Sequence, residues 1–278
     1  MAISSLTGCK EKPILKFSDG RFHAVADWVA EEEPLEIRVT HRGRSRAVAI
    51  TMRTPGNDTD LALGFLFTEG LLPPGQQLGG GAREQANSVE MQWPAELPLE
   101  LARVERHSYT SSSCGVCGKT SLEMVYNALP FPQDPQQMSV APELLYQLPD
   151  RLRRAQQLFD ATGGIHAAGL FDTEGTLIHF AEDVGRHNAL DKLIGYGYRH
   201  DLLPLTDRLL LLSGRASFEL LQKAAMAGIP FVASVGAPSS LAVELAEDQG
   251  ITLCGFLKGN GFNCYTHAER IAQPNGKF

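Results

Sequence analysis

Long apolar runs and an excess of basic residues are both missing from this 278-residue sequence. No apolar run approaches the roughly 18 residues that a membrane-spanning helix requires. Asp and Glu number 32 against 25 Lys and Arg, which gives a formal net charge of −7. A protein that coats nucleic acid carries the opposite balance, so we expect neither a membrane nor a nucleic acid as partner. One local cationic pocket for a phosphorylated ligand remains compatible with this composition.

Cysteine is scarce as well, with five residues in all. The stretch Leu6-Thr7-Gly8-Cys9 resembles a lipoprotein cleavage site, but no charged segment and apolar stretch precede it. We therefore expect an ordinary frayed terminus and a cytoplasmic location, where thiols stay reduced. We therefore interpret the pair Cys114 and Cys117 as reactive or metal-binding cysteines in preference to a structural disulfide.

Strand and helix patterns alternate in the second half of the sequence. Two strand-like runs, 165–172 and 176–183, are predicted to form a hairpin, and a helix is predicted from Asn188 to Tyr196. Buried strands and helices of roughly ten residues then alternate toward the C-terminus, which indicates parallel pairing. The predicted fold class is α/β with α+β elements: a cytidine-deaminase-like mixed sheet with flanking helices, plus a smaller β-rich N-terminal domain.

The sequence also suggests domain boundaries. A β-rich N-terminal domain is predicted over 1–110, a CxxC loop and Pro/Gln-rich connector over 111–137, and a cytidine-deaminase-like cofactor-binding domain over 138–278. Within them we expect strands over 35–41, 45–52, 88–93 and 99–106, a helix from Asp58 to Phe67, a loop over 76–85, and a helix over about 142–158 with a break or kink at Pro149.

The zinc chemistry of deaminases is not predicted. Those enzymes need a His or Cys with a Glu two residues later, followed by PCxxC at the next helix start. His187 lacks that Glu, and the CxxC pair lies upstream of the whole domain. A structural zinc site would need four ligands, and the spacing of Cys254 and Cys264 is not that of a zinc knuckle. No structural metal is expected.

The CxxC segment SSSCGVCGKTSLE allows several interpretations. Gly118-Lys119-Thr120 matches the end of a phosphate loop, but Ser113 occupies the place of the first glycine. A thioredoxin-like centre would need a strand and helix frame that the flanks lack. Small neighbours predict exposed thiols, and Lys119 favours the thiolate. The pattern favours a carrier or nucleophilic thiol over a rigid redox couple.

Three loops are expected to meet at the carboxyl edge of the parallel strands, where open α/β sheets bind ligands. They contain Ser213-Gly214-Arg215, residues 236–240 and the segment 255–261. Helix N-termini and glycines suit phosphates, Arg215 and Lys258 supply positive charge, and Phe256 or Phe262 could stack on a ring. The loops predict a phosphorylated, nucleotide-containing ligand.

The turn 182–188 and His166 have two interpretations each. The charged and polar groups of the turn either cap a helix and pair with one another, or belong to the ligand site. His166 either packs in the core or faces the same crevice.

Five segments together resemble the FdhD (FdhD/NarQ) family of formate dehydrogenase accessory sulfurtransferases: SCGVCG, GGIHAAGLF, EDVGRHNALDKLIG, SGRASFELLQKAAMAGIP and GFLKGNGFNCYTH. The five segments follow one another in order, and the resemblance extends from about residue 35 to residue 270. The resemblance implies a sulfurtransferase, a sulfur carrier required for formate dehydrogenase activity. It would accept persulfide sulfur from a cysteine desulfurase (IscS-like) and pass it to the molybdenum cofactor, bis(molybdopterin guanine dinucleotide), bound as cargo.

The resemblance also implies roles for particular residues. Cys114 matches the persulfide-bearing cysteine and Cys117 the second cysteine of the family. The cofactor-binding stretch corresponds to Phe256, Leu257, Lys258, Gly259, Asn260 and Gly261, although relatives can carry a basic residue where Asn260-Gly261 stand. A homodimer is compatible with the family. Two alternatives stay open: a non-catalytic chaperone that only holds the cofactor, and a degenerate deaminase relative.

Overall fold

The computed structural model describes residues 6–76, 78, 82–99, 129–131 and 138–272. The elements, in chain order, are β1 (Cys9–Ser18), β2 (Arg21–Ala30), β3 (Glu33–His41), β4 (Arg44–Arg53), α1 (Asp58–Thr68), β5 (Ala82–Gln85), β6 (Ser88–Trp93), α2 (Pro142–Leu145), α3 (Leu148–Ala155), α4 (Gln157–Thr162), β7 (His166–Phe171), β8 (Leu177–Asp183), α5 (Arg186–Arg199), β9 (Leu209–Leu212), α6 (Phe218–Met226), β10 (Phe231–Ser234), α7 (Ser240–Asp248), β11 (Thr252–Lys258), β12 (Gly261–Thr266) and a 3₁₀ turn (Ala268–Arg270).

The C-terminal half forms a six-stranded sheet in the order β12-β11-β10-β9-β7-β8. The three strands β9, β10 and β11 run parallel, whereas β7 pairs antiparallel with both β8 and β9, and β12 pairs antiparallel with β11. Every residue of β9 and β10 is buried, because helices cover both faces of the parallel strands. The predicted mixed α/β sheet is confirmed.

A four-stranded sheet in the order β4-β3-β6-β5 lies in the N-terminal half. Leu35, Ile37 and Val39 of β3 alternate toward the interior and are fully buried. One continuous apolar cluster runs from these residues to Leu253 in the larger sheet. The domain boundaries at 110 and 137 stay a prediction, because most of the connecting segment lies outside the described residues.

The frayed N-terminus expected from the sequence is wrong. β1 and β2 form a long antiparallel hairpin that exposes Leu15, Phe17 and Phe22. Its tight turn is Asp19-Gly20, with φ of 52° and 77°, and this dipeptide is a strong hairpin signal. The strands escaped sequence analysis because neither has a buried face that would make polar and apolar residues alternate.

Three further expectations need correction. The helix expected over 142–158 is a succession of short helices, α2, α3 and α4, and Pro149 lies in the first turn of α3, where its missing N–H costs little. The loop expected over 76–85 ends in strand β5. The segment 255–261 is not a loop after the last strand, because β11 continues to Lys258 and returns as the edge strand β12.

Helices α1 and α5 cross in close contact and join the two halves of the protein. Glycine makes this approach possible: a Cβ on Gly64 would overlap the carbonyl oxygen of Asp191, and a Cβ on Gly195 would overlap that of Asp60. The two helix backbones therefore touch directly, with no side chain between them.

A buried ion pair lies beside this crossing. Nζ of Lys192 in α5 is 2.7 Å from Oδ2 of Asp183 at the end of β8, and both side chains are almost fully buried. Lys192 also donates to the carbonyl of Thr54 (2.8 Å), while the Thr54 amide donates to Asp183 (3.1 Å). The residue that follows β4 is thereby fixed to β8 and α5.

Gly195→Ala is expected to destabilise the protein by about 2 kcal/mol or more, because the added methyl group forces α1 and α5 apart. Gly197→Ala is the matched control in the same helix, since the nearest atom to its added Cβ is at an ordinary 3.7 Å. It should be neutral or stabilise by up to about 1 kcal/mol. Urea denaturation of both variants measures the difference, and equal effects would contradict the close crossing.

Lys192→Met is expected to cost about 3–5 kcal/mol, because it leaves the carboxylate of Asp183 buried without its countercharge. The double variant Lys192→Met/Asp183→Asn should recover part of that loss. Lys10→Met removes the exposed partner of Glu33 and should leave the denaturation midpoint unchanged. A small effect of Lys192→Met would show that the pair does not hold the two halves together.

Candidate functional site

The loops that follow β9 and β10 lie side by side with the C-terminal end of β11 at the carboxyl edge of the sheet. The Gly236 amide donates to the carbonyl of Gly214 (3.0 Å), and the Phe256 amide donates to the carbonyl of Gly236 (3.0 Å). Ala216 and Pro238 form a further parallel bridge between the first two loops. The structure thus brings together the segments that the sequence predicts at this edge.

Two glycines allow the loops to pack this closely. A Cβ on Gly236 would lie 3.0 Å from Cγ of Arg215 and 3.1 Å from the Gly214 oxygen. A Cβ on Gly255 would lie 2.9 Å from Cδ of Pro238. Larger residues at either position would separate the loops and shift Arg215 and Phe256 relative to each other.

Phe256 is held in an unusual conformation at this edge. Its φ of 55° falls in the left-handed region, which is uncommon for a bulky side chain and costs roughly 1–3 kcal/mol. Its side chain is 43% exposed, so the ring can stack on a ligand. Phe262 is half-buried against the ring of Tyr146, with 5.9 Å between the centroids. Of the two candidate aromatic residues, Phe256 is therefore the accessible one.

Positive charge at the edge has no countercharge in the described part of the chain. Arg215 and Lys258 are exposed, and neither forms an ion pair with any residue that the structure describes. The hydroxyl of Ser217, which precedes α6, is buried and lacks a hydrogen-bond partner within the same residues. These groups can accommodate an anionic ligand at the N-terminus of α6, where backbone N–H groups add to the attraction.

The other predicted binding residues play different parts. The hydroxyl of Ser213 accepts a hydrogen bond from the amide of Ala167 (2.8 Å), which ties the first loop to β7. Leu257 is fully buried in the core between α2, α3 and the sheet, so its side chain packs away from the edge. Gly259, with φ of 56°, Asn260 and Gly261 are exposed at the turn between β11 and β12.

A histidine borders the first loop. His166 is half-buried at the start of β7, and its ring lies 3.4 Å from where a Cβ on Gly214 would be. Burial, and then the positive charge of Arg186, lowers the pKa of His166. Sequence analysis left the placement of His166 open, and the structure places its half-buried ring next to Gly214 in the loop after β9.

The turn 182–188 divides between structural and surface roles. Asp183 accepts from the amide of Gly185 (2.8 Å), and Asn188 donates to the carbonyl of Met52 (2.7 Å), so both belong to the framework. His187 instead faces α6, where its Nε2 lies 2.8 Å from Oε2 of Glu219 and lowers the pKa of that carboxyl. The crowding of charges in this turn was the sequence signal for its mixed role.

Cys114 and Cys117 lie outside the described residues, so their assignment stays a prediction. Over the ranges that are described, no group of three or more His, Cys, Asp or Glu side chains could hold a metal ion. In the same ranges, no helix is long and apolar enough to cross a membrane.

Fold and site together define an α/β protein whose mixed sheet carries a glycine-lined, cationic edge of the kind that takes phosphorylated ligands. The sequence pattern of the FdhD/NarQ family matches residues 30–272, which is most of the chain. The protein therefore belongs to the FdhD/NarQ family.

Similar proteins support this assignment. The chain is 46% identical over 273 residues to the sulfur carrier protein FdhD of Streptomyces coelicolor, covering 95% of each chain. It is 48% identical over 261 residues to the protein of the same name from Mycolicibacterium paratuberculosis, covering 91% of this chain and 94% of that one. A crystal structure from Desulfotalea psychrophila, of a candidate formate dehydrogenase accessory protein, shares the fold with a TM-score of 0.73 at 21% identity, over 95% of this chain and 100% of that one.

The edge predicts measurable binding of guanosine diphosphate, a probe that combines a flat ring with phosphates. Phe256→Ala removes the stacking surface and Arg215→Ala removes a charge, so each should weaken binding about tenfold. Phe22→Ala and Arg44→Ala are matched controls at exposed positions of the other two sheets and should leave the affinity unchanged. Isothermal titration calorimetry measures the affinity of all four variants for guanosine diphosphate. Equal losses of affinity in site and control variants would contradict a binding site at this edge.

Proposed function

We propose that this protein is a sulfur carrier that sulfurates the molybdenum cofactor destined for a formate dehydrogenase. Membership of the FdhD/NarQ family supports the proposal, as do the relatives that bear the name of sulfur carrier. The structural observation that carries it is the sheet edge. Exposed Phe256 shares β11 with Lys258, and its amide donates a hydrogen bond to Gly236, which packs against Arg215. That edge offers a ring surface and unneutralised positive charge to one ligand.

The proposed cargo is bis(molybdopterin guanine dinucleotide), bound as substrate and not as a resident cofactor. Its guanine rings suit the exposed face of Phe256, and its pyrophosphates suit Arg215, Lys258 and the N-terminus of α6. The buried hydroxyl of Ser217, which no described residue satisfies, offers a further donor to a phosphate oxygen. The glycines of the turn 259–261 leave space for close approach of the ligand.

The proposed chemistry is persulfide transfer through Cys114. Its thiolate attacks the outer sulfur of a persulfide on a cysteine desulfurase (IscS-like), and the S–S bond of that persulfide breaks as the desulfurase thiolate leaves. Cys114 then carries the persulfide and passes the outer sulfur, as a neutral atom, to the cargo, which returns Cys114 to its thiolate. Lys119, five positions along the chain, favours the thiolate form that both steps require.

The proposed setting follows from these steps. The cysteine desulfurase supplies the sulfur and the formate dehydrogenase receives the sulfurated cofactor, so both are proposed partners. The reaction requires reduced thiols, which places it in the cytoplasm. A homodimer would present two such edges and two carrier cysteines.

Cys114→Ala is expected to abolish activation of formate dehydrogenase, because no thiolate remains to accept sulfur at that position. Mass spectrometry after incubation with a desulfurase and cysteine should show a gain of about 32 Da on Cys114 in the unmodified protein and none there in the variant. Cys9→Ala removes a buried thiol and serves as the matched control. This variant should keep both the adduct on Cys114 and the activation of formate dehydrogenase.

Binding of guanosine diphosphate should be the same in Cys114→Ala as in the unmodified protein, because the edge residues are intact. If Cys114→Ala still activates formate dehydrogenase, the carrier mechanism fails and the protein acts as a chaperone that only holds the cofactor.

A further inference from the structure

Two cysteines face each other across the edge hairpin that carries Phe256. Cys254 of β11 and Cys264 of β12 are direct partners in the antiparallel register. Directly opposed residues in such a pair point to the same face of the sheet, with Cβ atoms about 4.5–5.5 Å apart. Small movements of an edge strand suffice to bring this spacing into the range of a disulfide, in which Cβ atoms are about 3.5–4.5 Å apart.

The two thiols have unequal environments. Cys254 is fully buried in the apolar cluster beneath α2 and α3, whereas Cys264 is exposed on the edge strand. Interaction with the Cys264 sulfur and burial raise the pKa of Cys254, and interaction with Cys254 lowers the pKa of Cys264. The thiol of Cys264 also donates to the carbonyl of Thr266 (3.4 Å). An accessible cysteine that deprotonates more readily, opposite a buried thiol on the neighbouring strand, is the arrangement of an attacking and a resolving cysteine.

The pair lies at the base of the predicted ligand segment. Cys254 directly precedes Gly255 and Phe256, and the register between Gly255 and Lys258 is irregular. A bond between β11 and β12 at this point would fix the strand ends from which Phe256 and the turn 259–261 project.

We propose that Cys254 and Cys264 form a redox-active dithiol that closes to a disulfide across the β11–β12 hairpin, next to the ligand edge. With hydrogen peroxide as oxidant, the Cys264 thiolate attacks one peroxide oxygen, the O–O bond breaks, and water leaves after protonation. The Cys254 thiol then attacks the sulfenic sulfur of Cys264, forming the S–S bond and releasing a second water. The two thiols lose two electrons and two protons, and the peroxide is reduced to two waters.

This inference goes beyond sulfur carriage and does not depend on it. The bond involves neither Cys114 nor Cys117, and it is reversed by a dithiol reductant. Its effect would be to make the geometry of the ligand edge respond to oxidation.

The test uses the full chain with Cys114→Ser and Cys117→Ser, so that no disulfide can form within the CxxC pair. Treatment with peroxide should lower the intact mass by about 2 Da, and peptide mapping should place the bond between Cys254 and Cys264. Cys264→Ser in that background should show no loss of mass. Cys9→Ser is the control and should retain the bond.

Alkylation of the unmodified protein gives a second readout that needs no substitution. Iodoacetamide should label Cys264 well before Cys254, peroxide should abolish labelling at both, and dithiothreitol should restore it. If peroxide leaves both thiols open to labelling in the denatured protein, or drives Cys264 to sulfinic acid without a bond to Cys254, the proposal is wrong. Either result leaves the role of Cys114 untouched.

Discussion

The buried contact of Lys192 with Asp183 is the interaction on which the rest of the structure depends. It joins α5 to the end of β8, and through Thr54 it fixes the N-terminal sheet to the same point. The glycine crossing of α1 and α5 involves Asp191, the residue before Lys192, so both contacts hold α5 against the N-terminal half. Because α5 begins directly after the Asp183 turn, this contact also sets where Arg186 and His187 lie at the site.

The sheet edge shows how a chain with a net charge of −7 can present local positive charge. Asp183, an acidic side chain of the interior, is neutralised by its ion pair with Lys192. Arg215 and Lys258, in contrast, have no acidic partner in the described ranges. Hydrogen bonds from loop to loop through Gly214, Gly236 and Phe256 fix the positions of these groups. Preorganisation of this kind lowers the entropy lost when a ligand binds.

Much of the fold was predictable because buried faces of strands and helices produce a periodic pattern of apolar residues in the sequence. The apolar runs of β9 and β10, the hairpin of β7 and β8, and the edge loop at Ser213 all follow from that pattern, whereas the loop expected at Phe256 proved to be the end of β11. The hairpin of β1 and β2 was missed because it has no buried face, although Asp19-Gly20 marked its turn. The roles of Lys192 and Gly195 could not be foreseen, since each depends on a contact with a distant segment. The pairing of Cys254 with Cys264 likewise required the register of β12.

The central claim is that sulfur carried on the protein reaches a cofactor bound at this edge. Its most direct test is a single turnover in which protein loaded with ³⁵S persulfide is mixed with bis(molybdopterin guanine dinucleotide) cofactor and the two are then separated under denaturing conditions. The account predicts that the label moves from the protein to the cofactor fraction, and that Phe256→Ala slows this transfer at limiting cofactor concentration. Label that stays on the protein while the cofactor binds normally would contradict it.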